Sequence, residues 1–159
     1  LGEVCDCAND NAPGQVVVSG HGAAVERAVA EAASRGARRS IMLSVSAPFH
    51  CALMAPAAAE MAATLAETQV AAPIVPVIAN VTAAPVSDPN EIRRLLVEQV
   101  TSLVRWRECV LAMKERGVTA LVEIGSGKVL PGLAKRIVRE RVASAHRTPA
   151  DIDALAKSL

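Results

Sequence analysis

The chain has 159 residues, 52% of them hydrophobic and 21% charged, with a formal net charge of +1. That near-neutral balance gives no electrostatic basis for binding nucleic acid, and a single Phe and a single Trp provide no platform for base stacking. The sequence shows no apolar run that would span a bilayer and no signal peptide. We therefore expect no nucleic-acid partner, no membrane partner and a cytoplasmic location.

The four cysteines predict neither a metal site nor a disulfide framework. Cys5 and Cys7 are separated by one residue, which is closer than the pairs that bind zinc, and no second pair follows. We expect these two, together with Cys51 and Cys109, to be reduced and to behave as small apolar residues. The sequence therefore predicts no bound metal.

The first part of the chain predicts a polar loop followed by a strand, a helix and a second strand. Residues 8–15 are rich in Asn, Asp, Pro and Gly, which is typical of a loop. The β-branched run 15–19 predicts a strand. The apolar residues of 23–35 share one helix face before Gly36, a typical C-cap. The apolar run 41–45 predicts the second strand.

A histidine follows this second strand at the point where Pro48 ends any regular pairing. His50 lies on the turn before an Ala-rich helix, predicted over residues 51–68. Near neutral pH an imidazole can take a proton from a nucleophile and return it later. On spacing alone, we would interpret His50 as a surface or core histidine with no catalytic role, because that is the commoner case. The helix itself predicts a buried stripe of side chains spaced by four: Leu53, Ala57, Met61 and Leu65.

The second part of the chain predicts further alternation of strands and helices. Apolar residues 75–81 indicate a strand buried on both faces. Asp88, Pro89 and Glu91 are typical of a helix start with a capping box.

The alternation continues to the end of the chain. Residues 106–116 predict a helix, 119–124 a second buried strand, and the cap at Thr148 a last helix that ends at Leu159. The glycines at 125 and 127 do not form a phosphate-binding loop, because the required glycine and hydroxyl residue are absent. Alternating strands and helices predict an α/β layered fold with parallel pairing.

Several stretches, in the same order, resemble the malonyl-CoA:acyl carrier protein transacylases. The stretches that carry the resemblance are 11–20 (NAPGQVVVSG), 46–54 (SAPFHCALM), 75–81 (VPVIANV), 97–99 (VEQ), 104–106 (VRW) and 123–130 (EIGSGKVL). Together they span nearly the whole chain and match the C-terminal half of such enzymes. The resemblance implies an α/β-hydrolase-like core with a small ferredoxin-like subdomain. Residues 1–45 would finish the subdomain and residues 46–159 would complete the core.

The resemblance also implies an activity, which is transfer of malonyl from coenzyme A to acyl carrier protein in fatty acid or polyketide synthesis. Malonyl-CoA and acyl carrier protein would be the partners, with no cofactor beyond the thioester substrate and a monomer when complete. His50 would be the general base and acid, oriented by the backbone carbonyl of Gln99. Phe49, Asn11 and Gln15 would contact the substrate.

Each substrate-contacting assignment has a plainer alternative. Phe49 beside the base would clash with a methyl group on the malonyl α-carbon, or it would merely fill the cleft wall. Asn11 and Gln15 would line the cleft, or they would only serve turn chemistry.

One essential part of the implied chemistry is missing. The sequence contains no Gly-x-Ser-x-Gly nucleophile elbow, because the glycines around Ser126 flank it directly. The arginine that would pair with the malonyl carboxylate is also missing, so we expect this chain alone to be inactive. One alternative is a non-catalytic fragment that binds the acidic carrier protein through Arg35, Arg38, Arg39, Arg136 and Arg139. Another is a hydrolase that uses Cys51 with His50, although adjacent residues rarely aim their side chains at each other.

Overall fold

The computed structural model describes residues 2–140 and 142–158. Within them, strands and helices alternate along much of the chain. The strands are β1 (Cys5–Ala12), β2 (Gln15–Gly20), β3 (Val77–Ala79), β4 (Ala84–Val86), β5 (Ala120–Ile124) and β6 (Val142–His146). The helices are α1 (Gly22–Ser34), α2 (Ala55–Glu67), α3 (Pro89–Gln99), α4 (Trp106–Glu115), α5 (Val129–Ile137) and α6 (Pro149–Ala156). The predicted α/β class is confirmed.

The chain opens with an antiparallel hairpin in place of the predicted loop over residues 8–15. β1 and β2 pair from Cys5 opposite Gly20 to Ala12 opposite Gln15, with two register shifts in β1. Gly14 takes a φ of 73° in the two-residue turn, a conformation that glycine adopts without steric cost. The loop prediction was wrong because the β-branched β2 supplies a pairing edge that overrides the poor strand propensity of Asn and Asp.

The predicted helices are all present, with small differences at their ends. At the start of α3, Asp88 Oδ1 accepts a hydrogen bond from Glu91 N–H at 2.8 Å, which confirms the N-cap. The capping box predicted there does not form, because the Glu91 carboxylate pairs with Arg94. α6 begins at a capping box made by Thr148 and Asp151. α6 ends at Ala156, and the predicted end at Leu159 lies outside the described residues.

The strand predictions were less accurate than the helix predictions. Residues 41–45 form no strand, and four of their side chains are about 60% exposed: Ile41, Met42, Leu43 and Val45. Of residues 75–81 only β3 is extended, and it pairs antiparallel with β4. β5 pairs in parallel with β6, which confirms parallel pairing there, but Val122 and Ile124 are exposed. Among the described residues, no further layer of helices or strands covers the apolar side chains of residues 41–45 and β5.

Much of the core lies where β1 packs against α4 and α5. Its buried residues are Ala8, Ala12, Ala24, Cys51, Leu95, Cys109, Val110, Leu133, Ala134 and Val138. The predicted stripe of α2 is not part of it, since α2 has no buried residue and Met61 is 40% exposed. That prediction was wrong because helical spacing identifies an apolar face but not what covers it. No helix among the described residues is long and apolar enough to cross a membrane.

Candidate functional site

His50 lies on a tight turn between the irregular segment 41–45 and α2. Its backbone φ is 59°, a left-handed value that is uncommon for any residue other than glycine. A single 3₁₀ turn, Ala52–Met54, follows at once and leads into α2. The half-buried His50 ring therefore lies on a backbone with a left-handed conformation.

The ring of His50 contacts the end of α3. Its Nδ1 lies 3.1 Å from the carbonyl oxygen of Gln99, the last residue of that helix. A carbonyl oxygen only accepts, so in the neutral ring Nδ1 carries the proton and Nε2 keeps a free lone pair. The contact predicted between these two residues is thus present in the structure. Their roles in catalysis stay a prediction.

The position of Gln99 explains why its carbonyl is available. The last carbonyls of a helix have no partner within the helix, and the negative end of the helix dipole lies there. Ser102 N–H also donates to this oxygen, at 3.3 Å, which a carbonyl with two lone pairs can accept.

The loop after Gln99 is tied to the first strand. Gln99 Nε2 donates to the carbonyl of Ser102 at 2.9 Å. Val104 N–H donates to Ala8 O at 2.9 Å, and Asp10 N–H donates to Val104 O at 3.0 Å. β1 is therefore hydrogen-bonded to the loop that directly follows Gln99.

The same strand also holds the turn that carries His50. Asp6 of β1 accepts a hydrogen bond from Ala52 N–H at 3.1 Å through its Oδ2. The Cys51 side chain is fully buried, and its thiol donates to Pro48 O at 3.1 Å. Sequence reasoning missed Asp6, because a carboxylate in a strand far from the histidine carries no local signal.

The other predicted site residues lie in three different settings. Phe49 directly precedes His50 and is 46% exposed. Asn11 lies where the register of β1 shifts. Gln15 Oε1 accepts a hydrogen bond from Arg136, which also donates to Pro13 O at 3.3 Å. In the described part of the chain, no hydrogen bond joins Asn11 or Gln15 to His50.

The structure does not support a cysteine nucleophile at this site. The Cys51 thiol is engaged with Pro48 O and is inaccessible. Burial raises the pKa of the Cys109 thiol to about 11, and that thiol faces Ala79 O and Asn80 Oδ1. A thiol is nucleophilic as its thiolate, so the Cys109 thiol is not suited to attack at neutral pH, and the Cys51 thiol cannot reach a substrate because it is buried. No cluster of three or more potential metal ligands occurs among residues 2–140 and 142–158.

Two cavities lie outside the His50 site. One of about 340 Å³ lies between α4, α5, β3 and β5, and neither His50 nor Gln99 lines it. Trp106 Nε1 and Glu123 Oε2 are buried on residues lining it, and neither has a hydrogen-bond partner in the described part of the chain. The other, of about 360 Å³, includes the ion pair of Asp10 with Arg107, whose charged atoms are 2.6 Å apart. We therefore base the candidate site on the His50 geometry and not on cavity size.

The arginines proposed as a docking surface are not all available. Arg35 pairs with Glu31 at 2.7 Å, and Arg136 is bonded to the β1–β2 turn. Arg38 and Arg39 are exposed. The observed pairing therefore reduces the basic surface on which the non-catalytic alternative depends.

Comparison with known proteins gives consistent results. A family profile described as Acyl transferase domain matches residues 4–150. The malonyl CoA-acyl carrier protein transacylase of Haemophilus influenzae is 46% identical over 158 residues, which are 99% of this chain and 51% of that protein. The crystal structure of an acyl-carrier-protein-S-malonyltransferase from Bartonella henselae superposes with a TM-score of 0.91 at 51% identity, covering 98% of this chain and 49% of that one.

A second similar structure contains a carrier protein. It is a malonyl-transacylase in complex with a type II polyketide synthase acyl carrier protein, with a TM-score of 0.92 and 41% identity over 99% of this chain. That match covers 51% of the transacylase. The chain thus spans about half the length of the relatives it matches.

Proposed function

The chain belongs to the acyl transferase domain family, and from that premise we propose that it supplies the general base for malonyl transfer from coenzyme A to acyl carrier protein. The observation that carries the proposal is the contact of His50 Nδ1 with the Gln99 carbonyl at 3.1 Å. That contact leaves Nε2 as a proton acceptor in a half-buried ring. The names of the similar proteins supply the malonyl-CoA substrate and the acyl carrier protein, and one of them comes from a type II polyketide synthase. We propose fatty acid or polyketide synthesis as the process that uses the product.

In the first half-reaction, His50 Nε2 takes the proton of a serine hydroxyl as its oxygen attacks the malonyl thioester carbonyl. The carbon–sulfur bond breaks, and the departing coenzyme A thiolate takes the proton back from the imidazolium. The product is a malonyl ester on the serine. During this step the Gln99 carbonyl keeps Nδ1 protonated and the ring oriented, and the end of α3 favours the transient positive charge.

In the second half-reaction, His50 takes the proton of the phosphopantetheine thiol of the carrier protein. The thiolate attacks the malonyl ester, the carbon–oxygen bond breaks, and the serine oxygen recovers the proton from the imidazolium. The base ends each half-reaction in its starting state. No cofactor is needed, since coenzyme A enters and leaves as part of the substrate.

The serine of this scheme is not in the sequence, which has no Gly-x-Ser-x-Gly motif. We propose that the hydroxyl comes from a segment outside it and that this chain alone transfers no malonyl. Phe49, exposed beside the base, would limit the space at the malonyl α-carbon. A single methyl group is worth about 1–3 kcal/mol of discrimination in such a pocket.

The test joins this chain to the half of the Haemophilus influenzae relative that it does not match. We expect the chimera to load malonyl onto carrier protein and the His50→Ala chimera to lose loading by about 100-fold or more. Phe49→Ala serves as the matched control, because it changes the neighbouring side chain and leaves the imidazole in place. It should retain malonyl loading and accept methylmalonyl-CoA more readily. Loading that survives His50→Ala would remove the base assignment.

A further inference from the structure

We propose that Asp6 is a positioning residue that holds the turn carrying His50 in the conformation the base needs. The inference rests on the proposed function for the role of His50, but it concerns a coupling that can be measured without activity. Asp6 lies on β1, and its Oδ2 accepts a hydrogen bond from Ala52 N–H at 3.1 Å. Ala52 is separated from His50 by Cys51 alone.

The Ala52 amide depends on an acceptor from another element. It is the first residue of the 3₁₀ turn, and the first N–H groups of a helix have no acceptor within the helix. The residue before it, Cys51, makes no side-chain capping bond, because its thiol is bonded to Pro48 O. Asp6 thus does for this turn what an N-cap side chain does for an ordinary helix, and its negative charge suits a helix N-terminus.

The backbone of His50 is the reason that this bond matters. A non-glycine residue with a φ of 59° is strained, and such conformations persist only where the surroundings fix them. The Gln99 contact holds the ring and the Cys51 contact closes the turn on itself. Asp6 provides the bond from another element to the backbone just after His50.

β1 also links the two halves of the contact. Through Asp6 it holds the His50 turn, and through Ala8 and Asp10 it holds Val104 in the loop that follows Gln99. One strand is therefore hydrogen-bonded to the segments that follow both partners of the contact, His50 and Gln99. Loss of the Asp6 bond would release the His50 turn from β1 and leave the loop after Gln99 bonded to it.

The measurable consequence is the tautomer of His50. The chain has three histidines, so ring ¹⁵N–¹H correlation spectra contain few signals, and His50→Ala assigns the one of interest. At about pH 8.5, where an ordinary imidazole is neutral, the wild type should show His50 protonated at Nδ1 alone. Asp6→Ala should convert that signal to a mixture of the two tautomers.

Three further variants sharpen the test. Asp6→Asn keeps an acceptor oxygen and should retain the single tautomer. Ala52→Pro removes the donor instead, at a first helical position where proline is tolerated, and should reproduce the mixture. Glu3→Ala is the matched control, because it removes a nearby carboxylate that pairs with Arg27 on α1, and it should leave the His50 signal unchanged.

The proposal would be overturned if His50 kept a single Nδ1-protonated tautomer in Asp6→Ala. It would also be overturned if Asp6→Asn showed the mixture of two tautomers. If Asp6→Ala fails to fold, Ala52→Pro decides by the same criterion. If neither Asp6→Ala nor Ala52→Pro folds, the proposal is also overturned, because the bond between Ala52 and Asp6 would then be required for folding and not specifically for the position of His50. An inactive chimera with an Asp6-dependent tautomer would refute the proposed function and leave this inference standing.

Discussion

Replacing His50 by glycine and by alanine tests the backbone that the site depends on. Both substitutions delete the ring and its bond to Gln99, so their difference isolates the cost of the left-handed backbone at a φ of 59°. That conformation costs a residue with a Cβ about 1–2 kcal/mol and costs glycine almost nothing. The greater freedom of glycine in the unfolded chain offsets about 0.4–1 kcal/mol of this difference.

The difference between the midpoints of these two ranges gives the net expectation, which is that His50→Gly is more stable than His50→Ala by about 0.8 kcal/mol. For a chain of this size that corresponds to about 1–4 °C in the midpoint of thermal unfolding. Urea unfolding followed by circular dichroism measures the free energy difference directly.

The neighbouring position provides the control. Phe49 is not among the described non-glycine residues with positive φ, so the order of stabilities should reverse there. Phe49→Ala should be more stable than Phe49→Gly by about 0.4–1 kcal/mol. An alanine variant at position 50 that equals or exceeds the glycine variant would refute the left-handed turn and, with it, the strain on which the role of Asp6 depends.

Three other properties follow from the structure. Gly20→Ala should destabilise the β1–β2 hairpin far more than Gly14→Ala. The reason is that a Cβ added at position 20 would lie 2.1 Å from a backbone oxygen, whereas a Cβ added at position 14 would meet no atom within 4 Å. Similar urea unfolding midpoints for the two variants would contradict this. The Cys109 thiol, with its pKa raised by burial to about 11, should resist a thiol reagent at about pH 8 and react only as the pH approaches 11 or the chain unfolds; fast labelling of the native chain would contradict its burial. Backbone amide donors hold the pKa of Asp151 below its usual range, so its contribution to stability is present above about pH 4 and is lost as the pH falls through the lower folded value. Asp151→Asn should therefore lose less stability on acidification than the wild type, and equal loss would remove this assignment.

The sequence predicted helices well because their signals are local. The Asp88 cap, the Pro89 start and the Thr148 cap each depend on residues within one turn, and each is in the structure. Strands depend on partners that local patterns do not show. The apolar run 41–45 has strong strand propensity and no strand partner among the described residues, while the weakly patterned β6 forms a strand because β5 lies beside it.

The site could be predicted where family resemblance compensated for missing long-range information. Propensity and spacing could not link His50 to Gln99, which is 49 residues away, and the resemblance did. The resemblance did not supply Asp6, since that bond spans 46 residues and involves a backbone amide. It also assigned Gln15 to the substrate, and that assignment stays a prediction; in the structure the side-chain oxygen of Gln15 accepts a hydrogen bond from Arg136.

The exposed apolar residues just before His50 have a consequence for how the His50 turn could be ordered. Any segment that covers Ile41, Leu43 and Val45 would bury apolar surface against the backbone that leads into that turn. Binding of that segment and ordering of the turn would then be thermodynamically linked. A peptide bound to those three side chains would change how firmly the imidazole is held without touching the ring itself.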